Sequence, residues 1–92
     1  MTSPRPYGVE LTPAARRQIS KLEQRTARRV LVELANLQAD PRPPGCRAMV
    51  AQPNRWRVRV ADAGDYRIVY EIHDQQLLVL VIAVAHRREV YR

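Results

Sequence analysis

The 92-residue chain carries a formal net charge of +7, from 16 Lys and Arg against nine Asp and Glu, which indicates a polyanionic or acidic partner. The single cysteine, Cys46, excludes an internal disulfide and favours a reducing compartment. The longest apolar run, residues 77–85, is nine residues long, whereas a membrane-spanning helix needs about 20. The N-terminus also lacks the apolar core of a signal peptide. We therefore expect one soluble, cytoplasmic domain over residues 1–92 with no membrane partner.

The first half of the chain has the pattern of a short strand followed by a helix hairpin. Residues 7–11 are the strand candidate, and Thr12 followed by Pro13 is typical of an N-cap and first helical position. Two helices are predicted next, separated by a break at residues 23–25, and three prolines within residues 40–45 end the second one. Their apolar positions are Ala15, Ile19 and Leu22 in the first helix, and Ala27, Val30, Leu31, Leu34 and Leu37 in the second.

After a brief strand at residues 47–50, residues 55–70 have the alternating pattern of two strands joined by a turn. A three-residue loop at 62–64, with Gly64 at positive φ, would pair Ala61 with Asp65. Trp56 then faces Tyr70 and Val58 faces Ile68 on an apolar face. The opposite face carries three arginines together: Arg57, Arg59 and Arg67. A one-residue slip would move Arg67 onto the apolar face, where an unpaired guanidinium is costly, so the register is well determined.

The apolar run at 77–85 predicts a central strand, paired on both sides and covered on both faces. After a reversal at residues 74–76, pairing of His73 with Leu77 sets Ala83 opposite Arg67 and Ala85 opposite Asp65. These small side chains leave a cleft with a charged wall. The larger residues of the strand are then predicted to face the helix hairpin: Leu78, Leu80, Ile82 and Val84.

Together these elements predict an α+β fold: an N-terminal strand and a two-helix antiparallel hairpin packed on one face of a mainly antiparallel sheet of four to five strands. Arg87 lies two residues beyond Ala85, so its side chain is expected on the same face as Ala83 and Ala85. Tyr91 follows on a terminal segment short enough to fold back over the cleft. Four arginines and a tyrosine are thus expected to converge without an acidic pair, metal ligands, a nucleophilic triad or a Gly-rich phosphate loop beside them. A solvated basic face, with Glu71 or Asp65 as partial counter-charge, remains the alternative interpretation of the arginines.

Three segments, W-R-V-R-V (56–60), G-D-Y-R-I-V-Y-E-I (64–72) and A-H-R-R-E-V-Y (85–91), resemble the RelE/ParE toxin superfamily of bacterial toxin–antitoxin systems. The RelE branch consists of ribosome-dependent endonucleases that cut messenger RNA in the decoding site, whereas the ParE branch poisons DNA gyrase and generally lacks the full catalytic set. The resemblance implies a cognate acidic, RelB-like antitoxin in a hetero-oligomer, the A site of the 70S ribosome and mRNA as partners, and no cofactor or metal. The catalytic residues it implies are Arg57, Arg59, Arg67, Arg87 and Tyr91.

One departure from the family concerns the general base. RelE members carry lysines where this chain has Arg57 and Arg59, and arginine keeps the charge but removes the simplest proton acceptor. Arg67 and Arg87 are expected to bind the scissile phosphate, and Tyr91 either stacks on a base or accepts the 2′-OH proton. His86 directly follows Ala85, so the alternation of side chains along the strand points it away from the cleft. The identity of the general base therefore stays open.

Three hypotheses follow from different functional classes. The first is an RNA-cleaving toxin, the second a toxin that inhibits gyrase through the same fold, and the third a basic RNA-binding module without catalysis. The second predicts trapped, cleaved DNA complexes with intact messenger RNA, and the third predicts no growth arrest on expression.

Overall fold

The predicted α+β fold is confirmed in the computed structural model, which describes residues 6–90. Five strands form one sheet in the order β1-β5-β4-β3-β2; β1 runs parallel to β5, and the other neighbours are antiparallel. Among the described residues, no helix is long and apolar enough to cross a membrane. The elements are β1 (Gly8–Leu11), α1 (Pro13–Ser20), α2 (Gln24–Ala39), β2 (Arg47–Ala48), β3 (Arg55–Arg59), β4 (Tyr66–His73), a 3-10 turn (Asp74–Gln76), β5 (Leu78–His86) and α3 (Arg87–Val90).

Helix α1 begins where the sequence predicted. The Thr12 hydroxyl oxygen accepts a hydrogen bond from the Ala15 N–H at 3.1 Å, and Pro13 occupies the first helical position. The Thr12 hydroxyl also donates to the Ile82 carbonyl at 2.9 Å, and the Thr12 N–H donates to the Val81 carbonyl at 3.0 Å. The N-cap thus fixes the start of α1 to strand β5. The break between the helices lies at residues 21–23 rather than 23–25.

The core lies between the helices and one face of the sheet. Ala15 from α1 and Val30 and Leu37 from α2 are fully buried against Ile68 and Tyr70 of β4. The buried Tyr70 hydroxyl donates to the Pro41 carbonyl at 2.8 Å. Burial raises the pKa of the Tyr70 hydroxyl, because its anion would be poorly solvated there.

The register of the arginine hairpin is confirmed. Trp56 pairs with Tyr70, Val58 with Ile68, and Arg59 with Arg67. The predicted pair of Ala61 with Asp65 is wrong. The last bond between the two strands runs from the Val60 N–H to the Tyr66 carbonyl at 3.1 Å, and the residues between them form two successive turns. The positive φ predicted for Gly64 is present at 62°, and Asp62 adopts a similar φ of 59°.

The register predicted between β4 and β5 is wrong by one residue at the His73 end. The 3-10 turn ends with Leu77 at a φ of 49°, so His73 pairs with Leu78 instead of Leu77. Because side chains alternate along a strand, this shift exchanges the two faces. Val79 and Val81 are therefore the residues buried against the helices, each with 0% exposure.

A β-bulge then shifts the register once more. Tyr70 pairs with Val81 and Val69 with Ala83, which leaves Ile82 without a partner on β4. Beyond the bulge the predicted parity is restored, and Val84 is buried in the core. The residue opposite Arg67 is consequently Ala85, not Ala83.

The remaining predictions for this strand are confirmed in part. Strand β5 lies between β1 and β4, as expected of a central strand. Of the large residues predicted to face the helices, Val84 belongs to the buried core, whereas Leu78, Leu80 and Ile82 are only partly buried. The one-residue shift before the bulge accounts for this difference.

Candidate functional site

Four arginines line a cavity of about 290 Å³ on the face of the sheet opposite the core. Three of them, Arg57, Arg59 and Arg67, were predicted to lie together. Among the side chains that the structure describes, none that lines this cavity is acidic, and we call it the arginine cavity. Its lining residues are Gly45, Arg47, Arg57, Arg59 and Arg67.

The strand pairing brings these arginines together. Arg47 of β2 lies directly opposite Arg57 of β3, and Arg59 lies directly opposite Arg67 of β4. Arg57 and Arg59 point to the same face because they are two residues apart on one strand. Like charges in directly opposite positions destabilise a sheet, and an anion bound among them removes that repulsion. The arrangement is therefore chemically suited to bind phosphate.

Arg55, the next arginine on this face of β3, forms an ion pair with Glu71. Arg55 Nε donates to Glu71 Oε2 at 3.3 Å, and Glu71 Oε1 lies 3.1 Å from His73 Nε2. Asp65, the other counter-charge considered from the sequence, lies 3.9 Å from His86 Nε2. Both acidic residues therefore contact basic groups that lie outside the arginine cavity.

Arg87 lies at a second cavity of about 420 Å³, which it lines with Asp65, His86 and Arg88. It begins α3, and its N–H donates to the Asp65 carbonyl at 2.6 Å. The structure thus does not bring the Arg87 side chain into the arginine cavity, although the pairing of Ala85 with Arg67 makes the two cavities neighbours. Tyr91 lies outside the described residues, so the roles assigned to Arg87 and Tyr91 stay predictions.

His86 pairs with Tyr66 and shares its face of the sheet. Their rings make an edge-to-face contact, with centroids 5.7 Å apart and planes at 79°. Because Arg67 pairs with Ala85, His86 points to the face opposite the arginine cavity. This orientation agrees with the parity in the sequence.

Sequence reasoning missed Arg47. The sequence indicated a strand at residues 47–50, but the strand comprises only Arg47 and Ala48, too short for an alternation that would assign a face. Its pairing with β3 puts Arg47 beside Arg57. Arg47 lies two residues beyond the proline-rich loop, and only the pairing shows where its side chain lies.

The loop before β2 is held to the body of the protein by Arg42. Its guanidinium donates to both Asp74 oxygens, at 3.2 and 2.9 Å, and its Cζ lies 5.3 Å from the centroid of the Trp56 ring. Tyr7 also donates to Asp74, at 2.6 Å. The hydrogen bonds from Arg42 and Tyr7 lower the pKa of the Asp74 carboxyl to about 2. This cluster fixes the segment that carries Arg47 into the cavity.

A larger basic depression on α2 has a different character. It measures about 330 Å³ and is lined by residues of that one helix: Gln24, Arg25, Arg28, Arg29 and Val32. Arg29 lies 3.7 Å from Asp62, and both side chains are well exposed. Exposed pairs of this kind contribute little to stability. We interpret the depression as a solvated outer face of the helix hairpin.

Comparison with known proteins identifies the family. Residues 9–91 match the model of the ParE toxin of the parDE type II toxin–antitoxin system. The chain is 35% identical to toxin RelG of Mycobacterium tuberculosis strain H37Rv, over 95% of this chain and 98% of RelG. In the RelBE2 toxin–antitoxin complex of M. tuberculosis, a chain is 30% identical with a TM-score of 0.72, over 89% of this chain and 99% of that one.

A free, doubly substituted RelE toxin of E. coli shares the fold. Its TM-score is 0.78 at 24% identity, over 94% of this chain and 90% of the toxin. The family match spans most of the chain and includes all four arginines of the cavity. The chain therefore belongs to the RelE/ParE superfamily and is a toxin of a type II toxin–antitoxin system.

Proposed function

We propose that this toxin is a ribosome-dependent endonuclease that cleaves messenger RNA by attack of the 2′-OH, without a metal or cofactor. The observation that carries the proposal is the arginine cavity: Arg57, Arg59 and Arg67, three of the positions implied by the RelE resemblance, line it together. Its lining, as far as the described residues form it, is basic, so the cavity matches the charge of an RNA phosphate and of the more negative phosphorane that follows.

Arg67 is the residue best fixed for this chemistry. It lies within β4, paired with Arg59 on one side and with Ala85 on the other, and its Nη1 donates to the Tyr66 carbonyl at 3.3 Å. A guanidinium held in this way binds phosphate oxygens with little loss of conformational entropy. In the proposed mechanism Arg67 holds the scissile phosphate, Arg87 reaches it from the neighbouring cavity once substrate is bound, and Arg57 and Arg59 stabilise the developing charge.

The arginine cavity contributes little to proton transfer, because its charged lining residues are arginines. The 2′-OH must lose a proton and the 5′-oxygen must gain one, and guanidinium is a poor acceptor. Tyr91 is the proposed stacking or proton-accepting group. The step balances if the group that takes the 2′-OH proton passes one on to the leaving 5′-oxygen. Orientation of the message in the A site of the 70S ribosome moves no proton but lowers the barrier, since positioning alone contributes about 7–11 kcal/mol. Free RNA is accordingly a poor substrate.

The proposed regulatory partner is a cognate acidic antitoxin of the RelB type. The structural relatives include RelB–RelE complexes from E. coli, Pyrococcus horikoshii and Methanococcus jannaschii. A cationic cavity with no acidic lining favours an antitoxin segment that brings Asp or Glu to it. We propose a cytoplasmic toxin–antitoxin hetero-oligomer as the resting state.

Inhibition of DNA gyrase is the second candidate function, favoured by one observation: the family model that matches is that of a ParE toxin. The two candidates differ in the nucleic acid that is damaged. The nuclease leaves new 5′ ends in translated messages, whereas gyrase poisoning leaves cleaved DNA complexes and intact messages.

The decisive experiment maps transcript ends by primer extension after brief expression of the wild type, of Arg67→Ala and of Arg16→Ala. Arg16 is an exposed arginine of α1 and controls for loss of one positive charge. Cuts within translated codons for the wild type and Arg16→Ala, but not for Arg67→Ala, support the nuclease. Growth arrest with intact transcripts and trapped DNA breaks would replace it with the gyrase hypothesis, and absence of growth arrest would leave a non-catalytic RNA-binding module.

A further inference from the structure

We infer that His86 is a positioning residue for Arg87: its imidazole caps the N-terminus of α3 and thereby fixes the backbone from which the Arg87 side chain reaches the scissile phosphate. The inference rests on the proposed function for the role of Arg87. The role of His86 rests on contacts at the end of β5, outside the arginine cavity.

Helix α3 is too short to be stable by itself. It comprises only Arg87–Val90, whereas isolated helices shorter than about 12–15 residues are marginal in water even with favourable sequences. The first N–H groups of a helix also lack partners within it. Groups outside α3 therefore decide whether it forms at the end of β5, and with it where the Arg87 backbone lies.

The first two N–H groups of α3 find partners outside the helix. The Arg87 N–H donates to the Asp65 carbonyl at 2.6 Å, and the Arg88 N–H donates to His86 Nδ1 at 3.4 Å. His86 immediately precedes α3, so its ring takes the place of the serine or asparagine side chain of an ordinary N-cap. The bond from Arg88 requires Nδ1 to carry no proton, which leaves the proton of the neutral imidazole on Nε2.

The other side of the His86 ring contacts the start of β4. Nε2 lies 3.9 Å from Asp65 Oδ2, and the ring meets the Tyr66 ring edge to face with centroids 5.7 Å apart. The Asp65 side chain is 55% exposed, so this contact adds little to stability. Together the two neighbours orient the ring, and its Nδ1 is then available to the Arg88 N–H.

His86 acts through the backbone and not by contact with the substrate. Its side chain points to the face opposite the arginine cavity, because Ala85 is the residue paired with Arg67. Arg87 lies two residues beyond Ala85, so their Cα atoms are at most about 7 Å apart. The Arg87 side chain lines the neighbouring cavity. A displaced Arg87 backbone changes its distance to the phosphate, and a misplacement of about 1 Å can cost about a hundredfold in rate.

The chain offers a matched control for this cap in its other histidine. His73 also immediately precedes a short helix, the 3-10 turn, and its Nε2 lies 3.1 Å from a carboxylate oxygen of Glu71. Its side chain is about as exposed as that of His86, at 34% against 38%. Within the described residues, the His73 side chain makes no capping hydrogen bond. Replacing His73 therefore removes a comparable imidazole without removing a cap.

The test measures mRNA cleavage on programmed ribosomes by the purified full chain and its variants. His86→Ala should lower the maximal rate roughly two- to thirtyfold, which is the stability range of N-caps expressed as a ratio. The half-saturating ribosome concentration should not change, because the lost contact acts only in the transition state. His86→Asn should recover most of the rate, since asparagine is among the best N-cap residues, and His73→Ala should match the wild type. An Asn variant as slow as the Ala variant, or an equal loss in His73→Ala, would overturn the inference.

A double-variant cycle tests whether His86 acts through Arg87. In an Arg87→Ala background, His86→Ala should cause no further loss of rate, since the side chain that it positions is gone. Multiplicative losses would show that His86 acts on another group, and the positioning role would be wrong. If His86→Ala fails to fold in thermal melts, His86→Gln replaces it in the comparison with His86→Asn, because glutamine is polar but is not a preferred N-cap residue.

A measurement without ribosomes separates this inference from the proposed function. Backbone amide order parameters of Arg87 and Arg88 from NMR relaxation should be about 0.85 in the wild type and in His86→Asn, and below about 0.6 in His86→Ala. A wild type that shows this pattern but makes no cuts would refute the nuclease while the cap on α3 stands. Cleavage by the wild type with unchanged order parameters in His86→Ala would refute the cap and leave the nuclease.

Discussion

Arg59 and Arg67 lie directly opposite each other on β3 and β4, so a double-mutant cycle between them measures the repulsion stored in the arginine cavity. We expect the coupling to be repulsive: each substitution by alanine should be more favourable to stability when the other arginine is present. Its magnitude should be about 0.2–1 kcal/mol, the range for cross-strand pairs. The full Coulomb energy of about 4 kcal/mol for unit charges 4 Å apart near a surface does not apply, because Arg59 is exposed and solvent screens the pair.

The assay is equilibrium unfolding in urea, which is uncharged and leaves electrostatics unscreened. A free energy of 1 kcal/mol corresponds to about 4–8 °C in Tm for a domain of this size, so thermal melts provide a second readout. In about 1 M salt, where the screening length falls to about 3 Å, most of the coupling should disappear. Inorganic phosphate should stabilise the wild type more than the double variant, because ligand binding to the folded state adds to its stability.

The pair of Arg55 and Glu71 provides the matched control. These residues are also directly opposite on β3 and β4 and join through Nε and Oε2 at 3.3 Å. Their cycle should give an attractive coupling of similar size that salt also weakens. If the cycle for Arg59 and Arg67 is attractive, or unaffected by salt while the control responds, the two guanidiniums do not repel and the reasoning about an anion site is wrong.

Two further predictions test the scaffold. Tyr70→Phe should lower the free energy of unfolding by about 1–3 kcal/mol in chemical denaturation, because it leaves the Pro41 carbonyl without its hydrogen-bond donor; an unchanged value would show that the bond contributes nothing. Asp74→Asn should reduce the loss of stability between about pH 4 and pH 2 in thermal melts: the hydrogen bonds from Arg42 and Tyr7 lower the pKa of the folded-state carboxyl to about 2, below its unfolded value near 4, so its contribution is present above pH 4 and lost as the pH falls. Equal acid sensitivity of the variant would contradict the assignment.

The arginine hairpin was predictable because its two strands alternate in chemistry. A slip of one residue would have placed Arg67 in the core, so only one register was compatible with the sequence. The same reasoning correctly placed Arg59 opposite Arg67. Charge on alternate positions thus fixes a register more firmly than hydrophobicity alone.

The register of β5 was not predictable on the same basis. Residues 77–85 are apolar throughout, so no slip places a charge in the core, and the choice depended on the length of the preceding turn. The left-handed Leu77 lengthened that turn by one residue, and the unpartnered Ile82 added a second shift. Two shifts of one residue add up to two, so each side chain near Arg67 keeps its predicted face of the sheet. An alanine therefore still lies opposite Arg67, although it is Ala85 and not Ala83.

The bulge at Ile82 connects the fold to the site. A bulge normally leaves backbone groups without ladder partners, yet here the Thr12 hydroxyl binds the Ile82 carbonyl at 2.9 Å and Gln18 Oε1 accepts the Val84 N–H at 2.8 Å. The N-cap Thr12 and Gln18 of α1 therefore supply the hydrogen bonds that the irregular segment lacks. Without the bulge, the register before it would continue to the end of β5. Val84 would then lie opposite Arg67 and point to the arginine face, where the smaller Ala85 lies in the structure. Polar side chains at the N-cap and within α1 thus stabilise the register that keeps space beside Arg67, the arginine we expect to bind the scissile phosphate.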